Sequence, residues 1–230
     1  MKRFADVLDG LMRAPERDVL RFEGRRFSAR ETTETATRVA RALLALGVRK
    51  GDRVALWLPN RPEWIFLEAA SALIGAVLVP INTRYQSGEL LHILHQSETS
   101  VLFLQDEFLG RSFADGLVEL MPEIRAGGGG RVTTEQLPAL RVVVCLGRRS
   151  SPFLCWEEFL ELADTVSPAM VQEAIAAVQP EDPGFCIYTG GTTGRPKGAL
   201  LTQAAAVTTE REVGAIAAMS RTIACCTARR

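Results

Sequence analysis

Apolar residues recur at helical spacing between Ser28 and Gly47. The periodic positions are Ala36, Val39, Ala40, Leu43 and Leu44. Ser28 followed three residues later by Glu31 is the pattern of a capping box at a helix N-terminus, and Gly47 is the residue type that most often follows a helix C-terminus. The pattern predicts an amphipathic helix over residues 28–47.

Short apolar runs alternate with helical segments along the rest of the chain. A two-stranded hairpin is predicted at residues 20–28, with its turn at Glu23 and Gly24. Further strands are predicted at residues 53–58, 76–81, 101–104, 140–147 and 184–189. One helix is predicted to begin at Pro62, one to have Ser87 as its N-terminal cap, and two more to cover residues 153–163 and 169–178. This alternation across short connections indicates an α/β fold, in which a mainly parallel sheet carries helices on both faces. Ligands of such sheets bind at the carboxyl ends of the strands.

Two segments lack this pattern. Residues 125–138 contain four consecutive glycines and no apolar period, so we expect a flexible surface loop there. Residues 219–230 carry three arginines, no acidic residue and an adjacent cysteine pair. We interpret this tail as disordered, or as the product of a frameshift or premature end, and the natural end of a short helix is the alternative. Residues 1–218 are then expected to form one partial domain.

The composition is that of an ordinary globular protein, with 47% hydrophobic residues and 27 basic residues balanced by 27 acidic ones. Balanced charge provides no overall field that would attract nucleic acid or an anionic membrane. No apolar run approaches the roughly 20 residues of a membrane span and no signal-peptide core occurs, so a cytoplasmic location is expected. Five cysteines without CxxC spacing favour reduced thiols over a disulfide framework or a zinc site.

A glycine- and threonine-rich stretch follows the last predicted strand. The sequence YTGGTTGRPKGALLTQ occupies residues 188–203. Backbone N–H groups in a glycine turn form a concave cluster of partial positive charge, and threonine hydroxyls add donors with little bulk. The residues expected to bind phosphate are Thr189, Gly190, Gly191, Thr192, Thr193, Gly194 and Lys197. For the GGTTG segment alone, a turn that binds no ligand is the alternative.

Other common sites fit the sequence less well. A Walker-type phosphate loop is excluded because Pro196 stands where a glycine N–H belongs and Gly198 where a magnesium-binding hydroxyl belongs. His92 and His95 lie one helical turn apart, but without clustered carboxylate or thiol ligands we interpret them as surface residues rather than metal ligands. No G-x-S-x-G elbow occurs, and Cys186 is predicted to be a core residue.

The segment YTGGTTGRPKGALLT resembles the phosphate-binding signature of the adenylate-forming superfamily, which includes acyl-CoA synthetases, adenylation domains of peptide synthetases and luciferases. Three upstream segments resemble those that precede the signature in acyl-CoA synthetases, in the same order. They are KGDRVALWLPNRPEW, GAVLVPINTRYQSGELLHILHQS and PEDPGFCIYT. The resemblance covers most of residues 20–205 and implies the N-terminal domain of that fold, in incomplete form.

The resemblance also implies a reaction. In this family a carboxylate attacks the α-phosphorus of magnesium-bound ATP, pyrophosphate leaves, and the thiol of coenzyme A takes the acyl group from the acyl-adenylate. The loop would hold the β- and γ-phosphates, with Thr189, Thr192, Thr193 and Lys197 as side-chain donors. The implied cofactors are therefore ATP, Mg²⁺ and coenzyme A, and the implied partner is a small carboxylic acid. No catalytic residue and no metal ligand is assigned within this chain.

Two positions depart from the family pattern: Gly190 stands where serine is commoner, and Gln203 where many members have histidine. The family's adenine and ribose segments and its small C-terminal domain, with a catalytic lysine, would follow these residues, and we find no such segments in the sequence. We therefore expect the N-terminal part of an acid–CoA ligase that is inactive alone, or an inactive remnant that at most binds nucleotide or a partner. The acid and the oligomeric state stay open.

Overall fold

The computed structural model describes residues 3–126, 128–147, 152–190 and 195–209. The helices are α1 (Phe4–Leu11), α2 (Ala29–Ala45), α3 (Pro62–Leu73), α4 (Ser87–Gln96), α5 (Phe113–Leu120), α6 (Trp156–Glu161) and α7 (Pro168–Ala176). The strands are β1 (Asp18–Phe22), β2 (Arg25–Ser28), β3 (Arg53–Trp57), β4 (Val77–Pro80), β5 (Thr99–Gln105), β6 (Glu107–Phe108), β7 (Arg111–Ser112), β8 (Val142–Leu146), β9 (Leu154–Cys155), β10 (Pro183–Thr189) and β11 (Lys197–Thr202). Short 3₁₀ turns cover Pro122–Ala126, Gly128–Gly130 and Leu162–Thr165, and residues 203–209 are helical.

Seven strands form the central sheet, in the order β11-β10-β4-β3-β5-β8-β9. Adjacent strands are parallel except β10 and β11, which are antiparallel. β1 and β2 form a separate antiparallel pair, and so do β6 and β7. The predicted α/β fold with a mainly parallel sheet is confirmed, and so is the predicted hairpin near the N-terminus.

The sheet is buried on both faces by side chains that alternate along its strands. On β3, Val54 and Leu56 belong to one hydrophobic core, whereas Ala55 and Trp57 belong to the other, and none is more than 1% exposed. The first core includes residues of α2, α3, α6 and α7, and the second includes residues of α4 and α5. Burial on both faces explains why these strands are continuous apolar runs in the sequence.

Helix α2 lies where the periodicity predicts it, but its N-terminal cap is simpler than expected. The Ser28 hydroxyl accepts a hydrogen bond from the Glu31 backbone N–H at 3.1 Å, while the Glu31 carboxylate accepts one from Arg25 at 2.6 Å. At the other end, the Gly47 N–H donates to Leu44 and the next N–H donates to Leu43, both at 3.0 Å. This Schellman pattern needs the left-handed backbone that Gly47 adopts, with a φ of +81°.

The glycine-rich segment is only partly a surface loop. Val132 and Leu137 are 6% and 2% exposed and belong to the core beside α4 and α5. Gly130 has a φ of +73°, and a Cβ added there would lie 2.5 Å from the Val143 carbonyl oxygen. The chain passes this close to β8 because Gly130 has no side chain. The expectation of a surface loop over residues 125–138 is corrected at these positions, and its flexibility stays a prediction.

Other differences concern single elements. Helices α1 and α5 and the β6–β7 pair were not predicted from the sequence, and α4 is capped by Gln86 instead of Ser87. Strand β11 was not predicted either, because the glycine-rich stretch was interpreted without a strand after it. The predicted tail, residues 219–230, lies outside the described residues.

The β10–β11 pair forms a hairpin in which Tyr188 is opposite Gly198 and Thr189 is opposite Lys197. Gly198 is required by its neighbours, since an added Cβ would lie 2.9 Å from the Cys186 sulfur and 3.1 Å from the Tyr188 ring. The buried Tyr188 ring therefore lies across the backbone of the partner strand. On its other side β10 pairs with β4 in parallel.

An ion pair ties the segment before β10 to the segment before β3. Lys50 Nζ lies 2.6 Å from Asp182 Oδ2 and donates to the Ala177 carbonyl at 2.8 Å. The same Asp182 oxygen accepts a hydrogen bond from the Gln179 N–H at 2.6 Å. Burial raises the pKa of Asp182, but Lys50 and the Gln179 amide lower it by more, so its pKa is below the usual value of 3.8.

We expect Asp182→Asn to lower the free energy of unfolding at pH 7 by about 0.5–1 kcal/mol, the upper range for a partly exposed pair. Because the folded-state pKa of Asp182 is depressed, its contribution is present above pH 4 or so and is lost as the pH falls through the lowered folded-state pKa. Urea unfolding at pH 7 and at pH 3 measures both effects. Glu181→Gln, which removes the adjacent exposed carboxylate, is the control. A stability difference that persists unchanged at pH 3 would contradict the assignment.

We expect Gly198→Ala to destabilise the chain by about 1–3 kcal/mol, because the new methyl group collides with the Cys186 sulfur and the Tyr188 ring. Gly190→Ala is the matched control, since no atom of the described residues lies within 4 Å of a Cβ at that position. Denaturant unfolding compares the two variants with the parent. Equal stability of the two variants would show that the close packing of Gly198 is unimportant.

Candidate phosphate-binding site

The candidate site lies at the carboxyl end of β10. Thr189 is the last residue of β10 and Lys197 is the first residue of β11. The two are register partners in the antiparallel pair, where the Cβ atoms of directly opposed residues lie about 4.5–5.5 Å apart. Both residues are exposed at the loop end of the hairpin, so the Thr189 hydroxyl and the Lys197 ammonium are accessible to a ligand from solvent.

The structure describes three of the seven residues predicted to bind phosphate. Thr189, Gly190 and Lys197 come together at the end of the hairpin where the connecting segment leaves β10 and enters β11. The other four, Gly191, Thr192, Thr193 and Gly194, lie outside the described residues. Gly190 is exposed, and among the described residues no atom lies within 4 Å of the position a Cβ would take there, so packing against them does not require glycine.

The side of β10 that faces the sheet's second core is apolar and uncharged. Cys186 and Tyr188 are 8% and 9% exposed, which confirms that Cys186 is a core residue. Burial, with a smaller contribution from Cys186, raises the pKa of Tyr188 to about 12, and burial likewise raises the pKa of the Cys186 thiol. Both groups therefore stay protonated at neutral pH and serve as packing residues beneath the site.

A histidine of helix α4 contacts the residue that precedes β11. His92 of α4 lies with its Nε2 atom 3.1 Å from the carbonyl oxygen of Pro196, the residue before Lys197. A cleft of about 700 Å³ lies between this face of α4 and residues Arg195 and Pro196. Its lining residues are Gln86, Gly88, Glu89, Leu91, His92, His95, Gln136, Arg195 and Pro196. The sequence drew attention to His92 only as one of two histidines one turn apart, and no local signal linked it to Pro196.

Gln203 fixes the end of β11. Its side chain is 1% exposed, and its Nε2 donates to the carbonyl oxygen of Ala72 at the end of α3 at 2.9 Å. Its backbone N–H donates to the Asp182 carbonyl at 2.9 Å. The glutamine at this position therefore joins the hairpin to α3 and to the segment before β10.

Across the described ranges, no group of three or more His, Cys, Asp or Glu side chains could hold a metal ion. Among the same residues no helix combines the length and apolar character that crossing a membrane requires. Within the described residues Cys145, Cys155 and Cys186 form no disulfide, and Cys225 and Cys226 lie outside the described part of the chain.

The site can accept an anion at a defined place. The Lys197 ammonium provides a mobile full charge with three donors, and the Thr189 hydroxyl provides a donor on the opposite strand. Charge-assisted hydrogen bonds to an anion are each worth about 1.5–3 kcal/mol. The carboxyl ends of the neighbouring parallel strands β4 and β3 open to the same edge of the sheet, where ligands of α/β proteins bind.

Comparison with known proteins identifies the family of this chain. The family model of AMP-binding enzymes matches residues 9–228. A Bacillus subtilis protein provisionally named acyl-CoA synthetase YngI is 35% identical over 191 residues, which cover 82% of this chain and 35% of the relative. The chain thus spans about a third of the length of this curated relative.

Two solved structures are similar in fold. A protein from Rhodopseudomonas palustris, provisionally named a long-chain-fatty-acid CoA ligase, aligns with a TM-score of 0.73 and 28% identity over 94% of this chain and 48% of its own. The anthranilate CoA ligase AuaEII, solved in complex with anthranoyl-AMP, aligns with a TM-score of 0.69 and 26% identity over 88% of this chain and 35% of its own. The family match and these likenesses together show that the chain belongs to the AMP-binding enzymes and corresponds to the N-terminal region of the acyl-CoA ligases among them.

Proposed function

We propose that the chain binds the β- and γ-phosphates of ATP at the loop end of the β10–β11 hairpin, where the connecting segment joins the two strands. The observation that supports this most directly is the register pairing of Thr189 with Lys197 on either side of the glycine-threonine segment. A hydroxyl and an ammonium group fixed on opposed strands can contact the same phosphate chain from two sides. The predicted donors Gly191, Thr192, Thr193 and Gly194 would complete the site.

The reaction served would be ATP-dependent activation of a carboxylic acid. The acid's carboxylate attacks the α-phosphorus of ATP, pyrophosphate leaves, and the thiol of coenzyme A then displaces AMP from the acyl-adenylate to form the thioester. Negative charge grows on the departing pyrophosphate, where the Lys197 charge and the Thr189 hydroxyl would stabilise it. The anthranoyl-AMP bound to the related AuaEII is an acyl-adenylate, which supports this class of reaction.

The donor set suits a flexible triphosphate. Lys197 is on a strand at the edge of the described sheet and is exposed, so its ammonium can follow the phosphate chain as the bond to the α-phosphorus breaks. Pro196 has no N–H and is buried, so it shapes the loop instead of donating to a phosphate. Mg²⁺ would neutralise phosphate charge when bound, but the described side chains offer no cluster of ligands, so we assign none of them to it. We likewise assign no described residue to coenzyme A.

The acid is proposed only as a class. The related structures bear the names of a fatty-acid ligase and an anthranilate ligase, which use an aliphatic and an aromatic carboxylate. The shared chemistry is the carboxylate, and we propose a small carboxylic acid as the substrate of the whole protein.

We expect the chain to bind ATP and inorganic pyrophosphate with millimolar affinity, about −4 kcal/mol, because phosphate contacts act alone in this region. Lys197→Ala should weaken the binding of both ligands roughly tenfold or more, since one charge-assisted hydrogen bond is lost. Isothermal titration calorimetry measures these affinities. Arg38→Ala removes the same charge from an exposed position on α2 and should leave them unchanged. Equal effects of the two substitutions, or no effect of Lys197→Ala, would refute the proposed phosphate site.

A further inference from the structure

We propose that His92 is a positioning residue. Its hydrogen bond to Pro196 fixes the backbone just before β11, where the proposed phosphate-binding segment ends. This inference rests on the proposed function for its consequence, because the residue that follows Pro196 is the predicted phosphate ligand Lys197. The bond joins two residues 104 positions apart in the sequence.

The chemistry of the contact defines the state of the imidazole. A carbonyl oxygen only accepts hydrogen bonds, so the Nε2 atom of His92, 3.1 Å away, must carry the proton and donate it. Pro196 is buried and His92 is half-buried, which limits competition from water for this bond. The Pro196 carbonyl also lies just outside the ladder of β10 and β11, which ends at the Thr189–Lys197 pair. His92 therefore provides a partner for Pro196 from outside the hairpin.

Helix α4 is a rigid support for this bond. Leu90 and Ile93 are fully buried in the sheet's second core, and Leu94 is 1% exposed. The first turn is closed by a capping box, in which the Gln86 backbone N–H donates to the Glu89 carboxylate at 2.9 Å. His92 thus projects from a helix that the core holds in place.

The segment between β10 and Pro196 is rich in glycine. Three of the five residues from 190 to 194 are glycines, and glycine loses more conformational freedom on ordering than any other residue. Because the bond holds Pro196, at the C-terminal end of this segment, before the ligand binds, less conformational entropy is lost on binding. The bond to His92 therefore favours the arrangement in which Lys197 already stands opposite Thr189.

His95 provides an internal control. It is the same residue type on the same helix and lines the same cleft, but it is exposed and its imidazole ring makes no hydrogen bond among the described contacts. Glutamine at position 92 can also place an Nε2 donor toward the carbonyl, whereas asparagine is one methylene shorter. The series His92→Gln, His92→Asn and His95→Gln therefore separates the hydrogen bond from the mere presence of a polar side chain.

The test has two readouts on the full chain. Without ligand, amide hydrogen exchange of the peptide covering residues 195–202 should be about tenfold faster in His92→Asn than in the parent, and near parental in His92→Gln and His95→Gln. With inorganic pyrophosphate as the probe, calorimetry should show a three- to tenfold weaker affinity for His92→Asn and near-parental affinity for the other two. Urea unfolding establishes that each variant is folded before comparison, and His92→Ala replaces His92→Asn should the latter not fold.

The two readouts keep this inference distinct from the proposed function. Absence of pyrophosphate binding by the parent chain would refute the proposed function, while the exchange experiment would still test the anchoring. Unchanged exchange in His92→Asn would overturn the positioning role. An equal increase in His95→Gln, or failure of His92→Gln to restore protection, would overturn it as well.

Discussion

The antiparallel pairing of β10 with β11 determines where every described residue of the candidate site lies. Six residue pairs align the two strands, and the last of them sets Thr189 opposite Lys197. The pairing depends in turn on Gly198, since any side chain there would displace the buried Tyr188 ring that packs against it. Thr189 and Lys197, which flank the glycine-rich segment, are therefore positioned by the pairing of the two strands.

Three contacts from distant parts of the chain hold this hairpin. Lys50 pairs with Asp182 before β10, Gln203 bonds the end of α3 after β11, and His92 bonds the loop itself. The first two set the hairpin on the sheet, and the third acts at the end where a ligand would bind. Holding the residues on either side of a glycine-rich segment in place reduces the ordering cost of binding, which matters most for a weak, charge-based contact.

The local features of the fold were largely predictable. Helix α2, the N-terminal hairpin and the buried parallel strands follow from apolar periodicity and from capping residues that act within a few positions of one another. The segment proposed to bind phosphate was also recognisable, because the pattern that marks it consists of residue types close together in the chain. The buried Val132 and Leu137 were not foreseen, since a run of glycines suggests a surface loop unless the nearby backbone of β8 is known.

The sequence by itself determined the α/β class, the family and the candidate ligands Thr189 and Lys197. Only the tertiary structure decided that these two residues face each other, because strand β11 has no distinctive periodicity and is stabilised by pairing with β10. The same holds for His92, which sequence spacing presented as one of two surface histidines. Its partner Pro196 is brought to it by the order of strands in the sheet, and that order is fixed by packing between segments far apart in the chain.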